Sequence, residues 1–123
     1  MSNFEEMAAM VVKGARIHLQ KELYYDKKSV DWVDAKYIDF LAEKYHDDHD
    51  FMNRLVEIIG SFLGECIIIN HGGLWQQEEG MGVIVFDDGS ITRPFSKVHK
   101  RFLNGMADSL SWYYEITLQI HKS

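Results

Sequence analysis

Residues 72–95 read GGLWQQEEGMGVIVFDDGSITRPF, and this stretch decides the fold class. Apolar residues alternate with polar ones here, and glycines stand at the points where the chain would reverse. The pattern predicts three short strands, over Leu74–Gln77, Gly82–Phe86 and Ile91–Arg93. Turns at Gly80 and Gly89 would join them into an antiparallel meander.

The sequence before this stretch has helical periodicity instead. Apolar spacing predicts three helices, over residues 3–24, from Asp31 to about His46, and from Phe51 to Asn70. Asp31 is the expected cap of the second helix, and either Asp48 or Asp50 is the expected cap of the third. The third helix has the widest apolar face and is expected to be central.

Two shorter helices follow the predicted strands. Pro94 suits the first position of a helix, and Asn104-Gly105 suits its end. Asp108 or Ser109 would then begin a last helix. The predicted fold is therefore α+β, a bundle of about five helices packed with a small three-stranded antiparallel sheet. The 123 residues are expected to form a single domain, residues 1–123, which is long enough to bury a core without a metal or disulfide.

Charge and cysteine content limit the classes of function. The formal net charge is −6, which disfavours general nucleic-acid binding because that affinity comes from neutralising phosphates. The apolar runs are too short to cross a bilayer, so no membrane association is predicted. Cys66 is the single cysteine, and its place on the apolar face of the third helix predicts a buried, structural thiol. A lone cysteine and an acidic start, unlike a secretory signal, favour a cytoplasmic location.

An acidic stretch from Asp31 to Asp50 contains seven acids and two lysines. Such a surface attracts a basic partner and speeds the encounter. Solubility and stabilisation of helix starts explain the same residues equally well. The residues expected to bind a protein partner are Asp34, Asp39, Asp47 and Asp48, with Tyr114 as an aromatic anchor.

Positive charge is concentrated in one place, near the start of the Pro94 helix. Its members are Arg93, Lys97, Lys100 and Arg101. The last three share one helical face, and Arg93 lies beside the positive end of the helix dipole. This cluster is the alternative functional site, for an anionic ligand, although solvated charged faces are common on helices.

A pocket near Glu65, His71, Trp75 and Arg93 is the corresponding enzyme or small-ligand alternative. However, the chain contains no Gly-rich phosphate loop, Gly-x-Ser-x-Gly elbow, His-Glu-x-x-His helix or Cys-x-x-Cys pair. No catalytic residue and no cofactor are therefore predicted. His46 and His49 lie among acids but lack a second pair of donors, so no metal is predicted.

The second half of the chain resembles a group of small bacterial proteins. The shared pattern is Leu63-Gly64-Glu65, Gly72-Gly73 with Trp75, Pro94-Phe95 with Lys97, Lys100-Arg101, Asn104-Gly105 and Asp108-Ser109-Leu110. Small acidic proteins that look like this include some encoded beside secreted toxins, which they neutralise as immunity proteins. The resemblance implies a small cytoplasmic interaction protein of bacteria that neutralises a toxin by direct binding.

Overall fold

A computed structural model describes residues 3–120 and has the predicted α+β fold. The elements, in chain order, are α1 (Phe4–Leu19), α2 (Lys27–Trp32), a π-helical turn (Val33–Tyr37), α3 (Ile38–Tyr45), α4 (His49–His71), β1 (Leu74–Glu78), β2 (Met81–Val85), β3 (Ile91–Thr92), α5 (Pro94–Asn104), a 3₁₀ turn (Gly105–Asp108) and α6 (Leu110–Ile120). The dihedral angles stay in the right-handed helical region from α2 through the π turn into α3. These three segments are one continuous helix, so five helices pack with one sheet in the described part of the chain.

The sheet is the predicted antiparallel meander, with strand order β1-β2-β3. Leu74 pairs with Val85, and Val85 pairs with Ile91, so one apolar row crosses all three strands. Glu79 and Gly80 have φ angles of 53° and 83° in the turn between β1 and β2. Two successive positive φ angles match the twist of an antiparallel hairpin, which explains the glycine there.

Helix α4 is the centre of the molecule, as its wide apolar face predicts. It packs against α1, α5, α6 and the sheet. Ile59, Phe62, Leu63 and Cys66 are all buried on it. The thiol of Cys66 is therefore enclosed, as predicted, and burial raises its pKa far above the ordinary value.

Gly60 and Gly64 make a bare strip on α4, and aromatic residues fill it. A Cβ at Gly60 would lie 2.6 Å from Cδ1 of Phe95 and 3.1 Å from that residue's Cα. At Gly64 the space of a Cβ is taken by the indole ring of Trp75. The absence of side chains at these glycines lets the rings of Trp75, from β1, and Phe95, from α5, pack directly on α4.

Helix α1 is shorter than predicted, because it ends at Leu19 instead of residue 24. Gln20 takes the left-handed conformation with φ of 50°, and the N–H of Lys21 donates back to the carbonyl of Ala15 at 3.2 Å. Glycine or asparagine usually occupies this position, so a glutamine there gives no warning in the sequence.

The predicted start of the second helix is also wrong. The helix begins at Lys27, and Asp26 caps it by accepting from the N–H of Ser29 at 2.9 Å. Asp31 is not a cap, because it lies inside the helix and pairs with Lys27. For α4 the sequence offers two candidate caps, Asp48 and Asp50, and the structure shows that Asp48 is the cap.

Candidate functional site

A charged pair inside the protein joins two elements that are far apart in sequence. Nε of Arg101, on α5, donates to Oδ1 of Asp34 at 2.9 Å. The side chains are 3% and 1% exposed, respectively. Nη2 of Arg101 also donates to the backbone oxygen of Asp34 at 2.8 Å, and reaches Oδ1 of Asp39 at 3.4 Å. Asp39 itself is 71% exposed, so the network extends from the core to the surface.

The other oxygen of Asp34 lies at the start of α6. Oδ2 accepts from Oγ of Ser109 at 2.7 Å and from the N–H of Ser111 at 3.2 Å. Burial alone raises the pKa of Asp34, but hydrogen bonds from Ser109, Leu110, Arg101 and Ser111 outweigh it and lower that pKa. The carboxylate thus serves as an internal anion for the N-terminus of a helix.

The π turn brings the backbone into this network. The N–H of Ile38 donates to the oxygen of Val33, five residues earlier, instead of to the oxygen of Asp34, four residues earlier. The oxygen of Asp34 accepts from Arg101. The wider turn therefore presents a main-chain acceptor to the guanidinium, and such turns often mark functional positions.

Two sequence predictions are corrected by this arrangement. Asp34 is not part of an exposed partner-binding surface, because it is buried and its oxygens are bonded internally. Arg101 does not share a solvated basic face with Lys97 and Lys100, because it is buried against Asp34. Their charges pair with each other in the interior and are not presented to a ligand.

The rest of the basic cluster is largely paired within the protein. Nη2 of Arg93 lies 2.8 Å from Oε1 of Glu78, and Nζ of Lys97 lies 3.0 Å from Oδ1 of Asp108. Lys100 is exposed and has no ion pair among residues 3–120. The cluster therefore offers one unpaired cation where the sequence indicates four.

Glu65 and Trp75 contact each other, whereas His71 contacts a different ring. Nε1 of Trp75 donates to Oε2 of Glu65 at 2.7 Å, and the Trp75 ring stacks on Phe4 with 4.1 Å between centroids. The ring of His71 meets the edge of Phe86, with centroids 5.7 Å apart. Glu65 accordingly holds an indole against α4, and the geometry assigns it no catalytic partner.

Tyr114 is not an exposed anchor, because it is 2% exposed and packs in the core. The sequence contains a signal for this burial, since Leu110, Tyr114 and Thr117 recur at helical spacing. The structure shows all three buried. Trp112, on the opposite side of α6, is 61% exposed.

Five exposed carboxylates lie between residues 39 and 50 and are called the acidic surface below. They are Asp39, Glu43, Asp47, Asp48 and Asp50. Lys44 is the one lysine in this range, and its Nζ lies over the rings of Phe40 and Tyr45, at 5.7 Å and 5.8 Å from their centroids. Asp39, Asp47 and Asp48 are thus exposed as predicted.

Three adjoining cavities lead from the loop between α3 and α4 along the seam between α4 and α5. The first, about 540 Å³, is formed by residues 44–50. The second, about 290 Å³, is lined by His46, His49, Met52, Asn53, Val56, His99, Phe102 and Leu103. The third, about 370 Å³, adds Asn3, Glu57, Gln77 and Met81 to Asn53, Val56 and His99. Shared residues join the three into one trough, called the α4–α5 groove below.

The two helices run in opposite directions along this groove. Phe95, at the start of α5, lies on Gly60. His99 lines a cavity with Val56, and Leu103, near the end of α5, lines one with Met52. The groove thus leads from the acidic loop, past an apolar middle, to a polar end beside the β1–β2 turn.

The sequence did not predict the groove. Its residues belong to elements that the chain brings together only on folding. The sequence contains one signal of an exposed apolar surface here, because Phe102 and Leu103 are consecutive on a helix and cannot both face the core. Leu103 is 69% exposed.

Comparison of the chain with known protein families, with curated proteins and with solved structures found no match. Within residues 3–120, no helix has both the length and the apolarity needed to cross a bilayer. The same residues contain no group of three or more His, Cys, Asp or Glu side chains placed to hold a metal ion.

Proposed function

We propose that the protein binds a basic partner protein through the acidic surface, as an immunity protein binds a toxin in the bacterial cytoplasm. One observation carries the proposal: most positive charges near α5 are paired inside the molecule, whereas the negative charges of residues 39–50 are exposed. Arg93, directly before α5, and Lys97 and Arg101 on it are engaged by carboxylates of the same molecule. The acidic surface, by contrast, has five exposed carboxylates and one lysine.

Exposed charge of one sign acts over the range of the Debye length, about 8–10 Å at physiological ionic strength. The side chain of Asp47 is 92% exposed, and its Oδ2 lies 3.2 Å from Nε2 of His46. Glu43 and Asp50 make no ion pair with any of residues 3–120. Carboxylates of this kind speed the encounter with a basic surface more than they hold the complex.

The alternative function, anion binding or catalysis at the basic cluster, has less support. Arg93 and Lys97 are paired, and Arg101 is buried. An anion would have to displace Glu78 or Asp108 to reach those cations. Lys100 alone offers a single exposed charge.

The test measures association with the partner, isolated by co-purification from the source organism. The variant Asp39→Asn, Glu43→Gln, Asp47→Asn, Asp50→Asn removes four charges from the acidic surface. The matched control, Glu5→Gln, Glu22→Gln, Asp87→Asn, Glu115→Gln, removes four exposed charges elsewhere. We expect the first variant to associate about tenfold more slowly at low salt, with a flatter salt dependence. Equal slowing by both variants, or slowing by Lys100→Gln instead, would contradict the proposal.

A further inference from the structure

We propose that the α4–α5 groove binds an extended segment of the partner, with apolar side chains in its middle and a lysine or arginine at one end. This inference rests on the proposed function, and it adds where the partner inserts and what chemistry it presents. It follows from three properties of the groove, taken in order along its length.

The first property is the charge at one end. Asp47, Asp48 and Asp50 surround the cavity formed by residues 44–50, and all three are exposed. The ammonium of Lys44 lies over two aromatic rings of its own helix. A cationic side chain that enters this end would meet three carboxylates, which neither a neutral nor an acidic segment complements.

The second property is the apolar middle. Met52, Val56 and Phe102 are partly buried here, and Leu103 is 69% exposed. Burying such side chains against a partner contributes about 25 cal/mol per Å² of apolar area. The middle therefore favours one or two apolar side chains directly after the cation.

The third property is the set of carboxamides at the other end. The side chains of Asn3, Asn53 and Gln77 line this cavity, and none of them has a hydrogen-bond partner among residues 3–120. A carboxamide provides both N–H donors and a C=O acceptor, which is the hydrogen-bonding set of a peptide group. These side chains are thus suited to bond the main chain of an extended segment, whereas a helical segment would present none of its peptide groups.

The length of the groove sets the size of the segment. His49 and Glu57 are eight positions apart on α4, a distance of about 12 Å along the helix axis. An extended chain covers this distance with about four residues. His46, His49 and His99 also line the groove, and residues 3–120 contain no group of three or more side chains placed to hold a metal ion.

The test uses a phage-displayed library of random dodecapeptides, selected on the wild-type protein and counter-selected on Asn53→Ala, Leu103→Ala. Both positions are exposed, so the variant is expected to fold. The matched control is Ile17→Ala, since Ile17 on α1 is 60% exposed, close to the 69% of Leu103, and lines none of the three cavities. We expect the selected peptides to contain a basic residue followed by apolar ones. Their affinity should fall about tenfold for the double variant and stay unchanged for the control.

Nuclear magnetic resonance gives a second readout on the same peptides. The side-chain NH₂ signals of Asn53 and Gln77 should shift on binding, and those of Gln20, which lies outside the groove, should not. Peptides that bind both forms equally, peptides without basic residues, or no selection above background would each overturn the groove assignment. Because the acidic surface is tested on the whole partner by association rate, it can hold when the groove assignment fails.

Discussion

Nε of Arg101 lies 2.9 Å from Oδ1 of Asp34, and both side chains are almost completely withdrawn from solvent. This one contact joins the π turn to α5. Through Ser109 and Ser111 it also joins both to the start of α6. One member of the acidic stretch and one member of the basic cluster therefore lie in the interior of the protein.

Arg101→Met should destabilise the protein by about 3–5 kcal/mol, because it leaves a buried carboxylate without its cation. The matched control is Arg93→Met, which breaks an exposed pair with Glu78 and should cost about 1 kcal/mol or less. Urea unfolding followed by circular dichroism measures both. Similar losses for the two variants would show that the Asp34 pair contributes no more than a surface pair.

Asp34 should make stability depend on pH in the acidic range. Its pKa is lower in the folded state, so its contribution is complete above the unfolded pKa, about 3.9, and is lost as the pH falls through the folded value. Asp34→Asn should reduce the free energy of unfolding at neutral pH and flatten its decline in acid. The control Glu115→Gln changes an exposed carboxylate and should leave the pH dependence of the free energy of unfolding unchanged. The prediction fails if the free energies of unfolding of Asp34→Asn and of the wild type decline in parallel as the pH falls.

Gly64→Ala should destabilise the protein, although alanine favours a helix over glycine by about 1 kcal/mol. The added methyl group meets the ring of Trp75, and overpacking of this kind costs about 1–3 kcal/mol. Shrinking the ring with Trp75→Phe should recover part of the loss. Unfolding curves of the two single variants and the double variant measure the coupling. Additive effects would mean that the ring moves aside freely.

Cys66 should react slowly with thiol reagents until the protein unfolds, because burial encloses the thiol and raises its pKa. A Lys100→Cys, Cys66→Ala protein provides an exposed thiol for comparison and should label rapidly. Cys66→Ser should cost about 1–3 kcal/mol by burying a hydroxyl. Rapid labelling of native Cys66 would refute this prediction.

The fold could be predicted from periodicity, because the deciding patterns are local. The alternation after Gly72 and the turn residues at Gly80 and Gly89 indicate the meander, and the structure confirms it. The cap at Asp26 and the end of α1 at Gln20 were missed. Gln20 takes a left-handed position that glycine usually occupies, whereas Asp26 is a common cap type that lies five residues before the predicted cap, Asp31.

The burial of Asp34 and Arg101 could have been inferred from their positions, but not from their chemistry. Asp34 follows Val30 by one helical turn, and Arg101 follows Val98 in the same way, so each lies on a core-facing stripe. Charged residues are almost never fully buried unless paired, which argues against burial when each is considered alone. The pairing is visible only when the helices are assembled. The π turn, whose Asp34 oxygen accepts from Arg101, has no signal in the local sequence either.

The Asp34 network also bears on how the chain folds as it is synthesised. Arg101 follows Asp34 by 67 residues, and Ser111 follows it by 77. A ribosome therefore produces the buried carboxylate long before the groups that neutralise it. Because an unpaired buried charge costs several kcal/mol, the helix of residues 27–45 cannot settle into its final position on a nascent chain that lacks α5. The residues of α5 and of the start of α6 thus complete the packing of the helix formed by residues 27–45.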